Sequence, residues 1–226
     1  MNTNIEIPKF PTSAIEHEYI SHGLTVGGMD EVGRGSWAGP LVMAAVIPGV
    51  GVIEGVRDSK KIAPKKRELL SKEIIDWAKC YSVGVVTNNE IDQWGMSKAL
   101  KICATRTLKG LQDHVANVDV ILLDGNIDFL VDCEIKTELI IKGDNFSHVI
   151  ACASIIAKVY RDNYMSSETV AGKYKEFYFE KNKGYPAPVH KEALKRLGAT
   201  PLHRVSWDIF GENGQDFKLL DENALF

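Results

Sequence analysis

The sequence lacks several features that would each point to a specialised class of protein. Its four cysteines lie about twenty to thirty residues apart without a C-x-x-C pair, so neither a disulfide framework nor a zinc site is indicated. No run of about eighteen apolar residues is present, which excludes a membrane-spanning helix. Repeats and low-complexity tracts are missing, and the first residues, MNTNIE, do not resemble a secretion signal. These absences predict a cytoplasmic protein with no membrane partner.

An excess of positive charge is missing too. The chain carries 27 Lys and Arg against 30 Asp and Glu, a net charge of −3, which argues against a protein that coats nucleic acid but allows an enzyme that binds it locally. The 226 residues are 45% hydrophobic and 25% charged, as in ordinary globular domains. We predict a monomer with an N-terminal arm over 1–22, one main domain over 23–210 and a polar tail over 211–226.

The apolar pattern predicts an α/β fold. Strands are predicted at 24–30, 41–47, 81–86, 118–124 and 138–144, and helices at 13–20, 64–79, 89–114 and 148–165. The first three strands are typical of an antiparallel meander, whereas the last two are continuous apolar runs, as in parallel strands that helices cover on both faces. The sequence therefore predicts a mixed five-stranded sheet flanked by helices, with a helical C-terminal portion.

Acidic side chains stand at three of the predicted strand ends. Asp30 and Glu31 close the first strand, Asp124 ends the fourth, and Asp144 ends the fifth. If the first and fourth strands are neighbours, their acids meet at the carboxyl edge of the sheet, where open α/β sheets bind ligands. Taken singly, Asp124 reads as a turn residue and Asp144 as a helix cap. Together the four acids predict a metal site.

The expected metal is Mg²⁺ or Mn²⁺. These hard cations prefer oxygen ligands, and histidine is absent from all three strand ends, which disfavours zinc. Two divalent ions about 3.5–4 Å apart need several bridging carboxylates, which this set would supply. A two-ion site of this kind suits hydrolysis of a phosphodiester.

A glycine-rich turn follows the first pair of acids. Gly33, Arg34 and Gly35 combine flexible backbone with one guanidinium, which suits a phosphate or a nucleic-acid backbone. A dinucleotide-binding turn of an oxidoreductase is the alternative, but Pro40 and a β-like run follow where a helix should begin. A P-loop is excluded because the sequence contains no G-x-x-x-x-G-K-[ST].

The predicted helix at 148–165 contains polar residues with two interpretations each. Ser154 and Lys158 lie one turn apart, as in a Ser–Lys nucleophile, yet a buried helix favours a hydroxyl that bonds the backbone. Arg161 and Asp162 are expected to anchor the exposed end of the helix. Support of a metal site by Asp162 is the alternative.

These residues and their order resemble type 2 ribonuclease H, the ribonuclease HII family. The likeness runs from about 26 to 207, roughly four-fifths of the chain. Its motifs are GMDEVGRG at 28–35 with AGP at 38–40, DSKK at 58–61, EID at 90–92, LDGN at 123–126, KGD at 142–144, ASIIAKVYRD at 153–162, GY at 184–185 and HR at 203–204. A set this long, in the family's order, is specific.

The resemblance implies a ribonuclease H-like fold and a metal-dependent endoribonuclease. The enzyme would hydrolyse the RNA strand of RNA–DNA hybrids and cut on the 5′ side of ribonucleotides embedded in duplex DNA, leaving 5′-phosphate and 3′-OH ends. Its role would lie in ribonucleotide removal during DNA replication and repair. The resemblance makes four acids the catalytic, metal-binding residues: Asp30, Glu31, Asp124 and Asp144.

Substrate binding is expected of a second set of residues: Gly33, Arg34, Gly35, Lys60, Lys61 and Tyr185. By the resemblance, the glycine turn senses the 2′-OH, the group that separates RNA from DNA. Tyr185 matches the tyrosine that packs on the deoxyribose beyond the ribonucleotide. The two lysines are predicted to contact phosphates, although a solvated helix face is the alternative for such a basic cluster.

Three parts of the sequence depart from the family's pattern, and none of them includes a carboxylate. Val32 stands where Ala is common, and Trp37 stands where a smaller residue is usual. Residues 186–188 read Pro-Ala-Pro in place of a Gly-Thr-rich sequence after the tyrosine. These departures bear on the surroundings of the glycine turn and of the tyrosine.

Other functions stay open at this point, because a fold does not by itself determine an activity. One alternative is a catalytically silent module that binds nucleic acid, and another is a different metal-dependent nuclease such as a resolvase. The segment QDFKLL at 215–220 is a candidate docking peptide for a replication clamp, although a disordered tail is the favoured interpretation.

Overall fold

The computed structural model of the protein describes residues 8–115 and 117–209. Within that part, the chain forms two compact units. One comprises 8–32, 42–85, 101–115 and 117–159, and the other comprises 33–41, 86–100 and 160–209. No helix among the described residues is long and apolar enough to cross a membrane. The predicted tail and its clamp-like segment lie outside the described residues.

The first unit is built on a five-stranded sheet. Its strands are β1 (Val26–Val32), β2 (Leu41–Ile47), β3 (Cys80–Val86), β4 (Val120–Asp124) and β5 (Lys136–Ile140). They are ordered β3-β2-β1-β4-β5, with β1 antiparallel to β2 and parallel to β4, and with β4 parallel to β5. The predicted mixed sheet, with its first and fourth strands as neighbours, is confirmed.

The described residues form seven α-helices. They are α1 (Ala14–Ser21), α2 (Pro64–Trp77), α3 (Asn88–Trp94), α4 (Met96–Gln112), α5 (His148–Ser166), α6 (Phe179–Asn182) and α7 (Pro188–Leu197). The single helix predicted at 89–114 is wrong, because Gly95 divides it into α3 and α4. Gly95 has a φ of +77°, which glycine adopts without strain, and it ends α3 as a C-cap.

Helix α5 packs very closely on β1 because Gly28 has no side chain. A Cβ on Gly28 would lie 2.5 Å from the backbone nitrogen of Ile150 and 2.6 Å from Cγ2 of Val149, closer than real atoms approach. Asp30 lies on the same face of the strand as Gly28, since alternate residues of a strand share a face. The missing side chain therefore brings the buried half of α5 beside Asp30.

The fifth strand differs from its prediction. It covers Lys136–Ile140 rather than 138–144, and none of its five residues is fully buried, because it forms the edge of the sheet. Residues 125–135, which join it to β4, contain no helix. Lys142, with a φ of +57°, turns the chain after the strand. Asp144 therefore lies on a 3-10 turn, Gly143–Asn145, and not at a strand end.

The second unit has an apolar core of its own. Phe177 and Phe179 are fully buried and stacked, with ring centroids 5.5 Å apart. Met165 and Leu194 pack in the same cluster. Helices α6 and α7 follow a π-helical turn at Glu168–Gly172. The prediction of a helical C-terminal portion is confirmed.

Candidate active site

Asp30 is the most deeply buried of the four predicted metal ligands, with 7% of its surface exposed. Its Oδ1 accepts the backbone N–H of Glu31 at 2.7 Å, and the Ser154 hydroxyl donates a further hydrogen bond. Burial raises the pKa of Asp30 well above its usual range, and the charges of Glu31 and Asp124 raise it further. The two hydrogen bonds act in the opposite direction. This carboxylate therefore favours a bound proton or a cation.

Asp124 ends β4 at the same edge of the sheet, because β1 and β4 are parallel neighbours. Its Oδ1 accepts the backbone N–H of Gly143 at 2.6 Å. Burial raises the pKa of Asp124, whereas the hydrogen bonds from Gly143 and Gly125 and the charge of Lys60 lower it. The predicted convergence of the first and fourth strand ends thus places Asp124 within electrostatic range of Asp30.

Asp144 reaches this edge from the turn after β5. Its Oδ1 accepts a hydrogen bond from Nδ2 of Asn145 at 2.6 Å. Burial raises the pKa of Asp144, and the charges of Asp124 and Asp58 raise it further, whereas Lys60 and Asn145 lower it. The charge of Asp124 therefore affects the pKa of both Asp30 and Asp144.

Asp58 was not among the predicted ligands, yet it lies beside two of them. Its charge raises the pKa of both Asp124 and Asp144. It caps the 3-10 turn that follows it, accepting the N–H of Lys60 at 3.0 Å, and it forms an ion pair with Lys61 at 3.5 Å. The sequence did contain a sign of this role, because Asp58 stands in the same DSKK motif as the two lysines that were assigned to the substrate.

Lys60 and Lys61 direct positive charge toward the acidic cluster. Lys60 lowers the pKa of Asp124 and of Asp144. The Nζ atom of Lys61 donates to Oδ1 of Asn145 at 3.1 Å. Both lysines are exposed at the surface. Their charge is therefore accessible to the acids and to an incoming phosphate alike.

The hydroxyl of Ser154 was expected to bond the backbone of its own helix. It donates a hydrogen bond to the carboxylate of Asp30 instead. The hydroxyl oxygen of Ser59 lies 3.0 Å from that of Ser154. Because Ser154 donates its proton to the carboxylate, Ser59 is the donor to Ser154. The main-chain oxygen of Ser59 accepts in turn from Nε of the buried Arg67 at 2.8 Å. The two hydroxyls form a short chain directed at Asp30.

The four predicted acids do not form a preassembled metal cage. Within 8–115 and 117–209, no group of three or more Asp, Glu, His or Cys side chains is arranged to hold a metal ion. The donor set nevertheless suits a hard divalent cation, because every member offers carboxylate oxygen. A cation would also offset the like charges that raise the pKa of Asp30 and Asp144. In chemistry, the residues fit Mg²⁺ or Mn²⁺.

In the second unit, Arg161 organises the glycine-rich turn. It is fully buried, so its expected place at the exposed end of a helix is wrong. Its Nε donates to the carbonyl oxygen of Pro40 at 2.8 Å, and its Nη2 donates to that of Ala38 at 2.9 Å. Nη2 also donates to the hydroxyl of Ser36 at 2.7 Å. The guanidinium thereby determines the path of the chain after the turn.

The two glycines of the turn have different surroundings. A Cβ on Gly33, whose φ is +91°, would lie 2.4 Å from Nε of Arg161, whereas a Cβ on Gly35 would meet nothing within 4 Å. The carbonyl of Arg34, between them, accepts from Nη1 of the buried Arg204 at 3.1 Å. Packing against Arg161 therefore requires a glycine at position 33, whereas the space beside Gly35 is open.

Tyr185 lies over the same guanidinium, with its ring centroid 5.4 Å from Cζ of Arg161. Its backbone N–H donates to the carbonyl of Asn182 at 2.9 Å, and its carbonyl accepts the N–H of Ala187 at 2.8 Å. The Pro-Ala-Pro segment that departs from the family's pattern supplies the second of these bonds. Tyr185 and the glycine turn thus share Arg161 as a neighbour.

Comparison with known proteins identifies the family of this chain. The family model described as Ribonuclease HII matches residues 27–209. The chain belongs to the ribonuclease HII family. A Ribonuclease HII from Streptomyces avermitilis is 40% identical over 200 residues, covering 87% of this chain and 83% of that protein. The resemblance found in the sequence is thereby confirmed.

Two solved structures of relatives have a similar fold. The ribonuclease H2 from Pyrococcus horikoshii matches with a TM-score of 0.67 at 29% identity, covering 83% of this chain and 95% of that one. An RNase HII from Archaeoglobus fulgidus, in complex with PCNA, matches with a TM-score of 0.64 at 26% identity, covering 76% and 85%. The predicted ribonuclease H-like fold is confirmed.

Family membership assigns the protein an activity. It is a ribonuclease H, an endoribonuclease of a family that acts on RNA–DNA hybrids and depends on divalent metal. An oxidoreductase and a catalytically silent binding module, which the sequence left open, are set aside by this membership.

Proposed function

We propose that the protein cuts on the 5′ side of ribonucleotides embedded in duplex DNA, in a reaction that depends on Mg²⁺ or Mn²⁺ and leaves 5′-phosphate and 3′-OH ends. Hydrolysis of the RNA strand of hybrids accompanies this activity, and ribonucleotide removal in DNA replication and repair is the proposed role. The main support is that Asp30 is buried among like charges that raise its pKa. Such a costly arrangement marks functional sites.

Asp30, Glu31, Asp124 and Asp144 are the proposed ligands of two divalent ions. When bound, the ions supply Lewis acidity and positive charge for phosphodiester hydrolysis. The carboxylates bind metal only when deprotonated, so the raised pKa of Asp30 and of Asp144 sets a lower pH limit for activity. Asp30 and Asp124 each accept a hydrogen bond from a backbone N–H, which restricts the rotation of each carboxylate.

Recognition of the ribonucleotide is proposed for the glycine turn and for Tyr185. The open space at Gly35 supports close approach of a ribose to the backbone of the turn. Tyr185 would pack on the neighbouring deoxyribose, with the Arg161 guanidinium against its ring. Lys60 and Lys61, both exposed, would contact backbone phosphates.

Cleavage mapping on a duplex that carries one ribonucleotide tests the proposal. We expect a cut on the 5′ side of the ribonucleotide that chelator abolishes and Mg²⁺ or Mn²⁺ restores. Equal cleavage of an all-DNA duplex or of branched DNA would contradict the proposal, and the latter would favour a resolvase-like nuclease.

The acidic site is tested with a pair of variants. Asp30→Asn should abolish cleavage and leave hybrid binding largely intact. Asp132→Asn is the matched control, because Asp132 is an exposed acid paired with Lys101 at 2.9 Å. Near-normal turnover of the Asp30 variant would remove that residue from the metal site.

A replication clamp is a further proposed partner of this chain, which we expect to act as a monomer in the cytoplasm. The related RNase HII from Archaeoglobus fulgidus forms a complex with PCNA, and the segment at 215–220 is the proposed docking peptide. None of the four cysteines, all of which lie within the described residues, forms a disulfide, in keeping with a reducing compartment. Clamp binding that persists after deletion of 215–220 would rule the segment out.

A further inference from the structure

A chain of hydrogen bonds in the second unit ends on the backbone of Tyr185. The N–H of Thr200 lies 2.9 Å from Nδ1 of His203, and the Nε2 atoms of His203 and His190 lie 2.9 Å apart. The Nδ1 atom of His190 lies 2.8 Å from the carbonyl oxygen of Tyr185. Both histidines are at most 1% exposed. Three hydrogen bonds thus connect four residues in series.

The two ends of this chain determine its direction. The backbone N–H of Thr200 can only donate, so Nδ1 of His203 carries no proton. The carbonyl of Tyr185 can only accept, so Nδ1 of His190 carries one. A neutral ring has a single N–H, and therefore His203 donates through Nε2 to Nε2 of His190. Both ends require the same direction at the central bond, which makes the arrangement internally consistent.

Aromatic rings surround the two histidines and favour their neutral forms. The ring of Phe177 lies 5.2 Å from that of His203, and those of Phe179 and Trp37 lie 5.3 Å and 6.0 Å from that of His190. Burial lowers the pKa of both histidines, that of His203 to about 3. A proton added to His190 would place two donors against each other at the central bond.

The segment that carries Tyr185 needs such support. Lys183 and Gly184, directly before it, have φ values of +53° and +79°, and a left-handed conformation at a residue other than glycine is strained. The side chain of Asn182 accepts the N–H of Gly184 at 2.8 Å. The imidazole of His190 is the side chain that bonds the segment at the carbonyl of Tyr185.

We infer that His190 and His203 are positioning residues, which form a directed hydrogen-bond relay that holds Tyr185 for contact with the substrate. The relay itself depends on the geometry alone. Its effect on the substrate rests on the proposed function, in which Tyr185 packs on the deoxyribose next to the ribonucleotide.

The tautomers of the two histidines test the relay without any substrate. Long-range ¹⁵N–¹H correlation spectra of the full-length protein show which nitrogen of each imidazole carries the proton. We expect a neutral Nδ1–H tautomer for His190 and a neutral Nε2–H tautomer for His203 near pH 7. The reverse tautomer at either residue, or a charged ring at that pH, would overturn the inference.

A matched pair of variants tests the effect on the substrate. In His190→Asn, the amide nitrogen takes the position of Nδ1 and keeps the donor to Tyr185. In His190→Gln, the amide oxygen takes the position of Nε2 and keeps only the acceptor for His203. We expect KM for a duplex with one ribonucleotide to rise about fivefold to tenfold in the Gln variant and less than about twofold in the Asn variant, with similar kcat.

A purely structural role predicts a different result. Because each variant loses one bond of the relay, both should be destabilised to a similar extent, and equal KM values would therefore overturn the inference. KM for a long RNA–DNA hybrid, which has no junction, should be unchanged in both variants. Failure of the wild type to cut the single-ribonucleotide duplex would refute the proposed function. The measured tautomers of His190 and His203 would in that case still test whether the relay exists.

Discussion

Replacing Gly33 by alanine should destabilise the protein, whereas the same change at Gly35 should not, because only the first glycine contacts Arg161. A Cβ on Gly33 would lie 2.4 Å from Nε and 2.9 Å from Cδ of Arg161, and 2.7 Å from the carbonyl oxygen of Pro40. The backbone at Gly33 also has a φ of +91°, which residues with a side chain rarely adopt.

Two effects set the magnitude at Gly33. A left-handed backbone conformation costs a residue with a Cβ ~1–2 kcal/mol, and overpacking of a well-packed site costs a further ~1–3 kcal/mol. Displacement of Arg161 instead would break its 2.8 Å bond to the carbonyl of Pro40, and a hydrogen bond to a charged group contributes ~1.5–3 kcal/mol. We therefore expect Gly33→Ala to lower the free energy of unfolding by ~2–5 kcal/mol.

Urea denaturation followed by tryptophan fluorescence measures this change. Gly35→Ala is the matched control, since its Cβ would meet nothing within 4 Å, and we expect its stability to stay within ~1 kcal/mol of the wild type. The same control should lower cleavage at a single ribonucleotide, because its methyl group occupies the space proposed for the ribose. Equal stability of the two variants would refute the conclusion that Arg161 holds the turn at Gly33.

Three further predictions concern the acidic cluster. Because the pKa of Asp30 is raised in the folded protein, the stability that this carboxyl contributes is fully present below its unfolded pKa of about 3.9 and is lost as pH rises through the folded value. In metal-free buffer, stability should consequently fall more steeply with pH in the wild type than in Asp30→Asn, and equal slopes would contradict the raised pKa. Ser154→Ala should lower kcat about tenfold with little change in KM, since Asp30 loses a hydrogen bond; an unchanged kcat would show that the hydroxyl does not position the carboxylate. Alanine at both Lys60 and Lys61 should weaken hybrid binding and reduce the slope of log K against log salt by up to about 2, whereas an unchanged slope would argue against phosphate contacts.

Local patterns were sufficient to predict the central strands of the sheet and the position of two acids at its edge. The apolar runs that became β1 and β4 were visible in the sequence, and the pairing of Met29 with Leu123 brings Asp30 and Asp124 to one edge. The prediction of β5 was wrong by several residues, because an edge strand buries too little of its surface to show a clear apolar run.

Partners that lie far apart along the chain could not be predicted in the same way. Arg161 was expected at an exposed helix end, but it is buried against the carbonyl of Pro40, 121 residues away. Ser154 bonds Asp30 and lies against Ser59, 95 residues away, rather than serving its own helix. The apolar periodicity of the sequence does not indicate such contacts, since they arise only when separate segments pack together.

The order of the motifs along the chain was enough to assign the family and the type of chemistry, because residue identity and spacing are properties of the chain itself. The folded arrangement settled the partners of each group: Asp58 beside Asp124, Arg161 against the glycine turn, and the two histidines behind Tyr185. The physical reason is that burial, charge coupling and hydrogen bonding depend on distances in space, which the linear sequence does not contain.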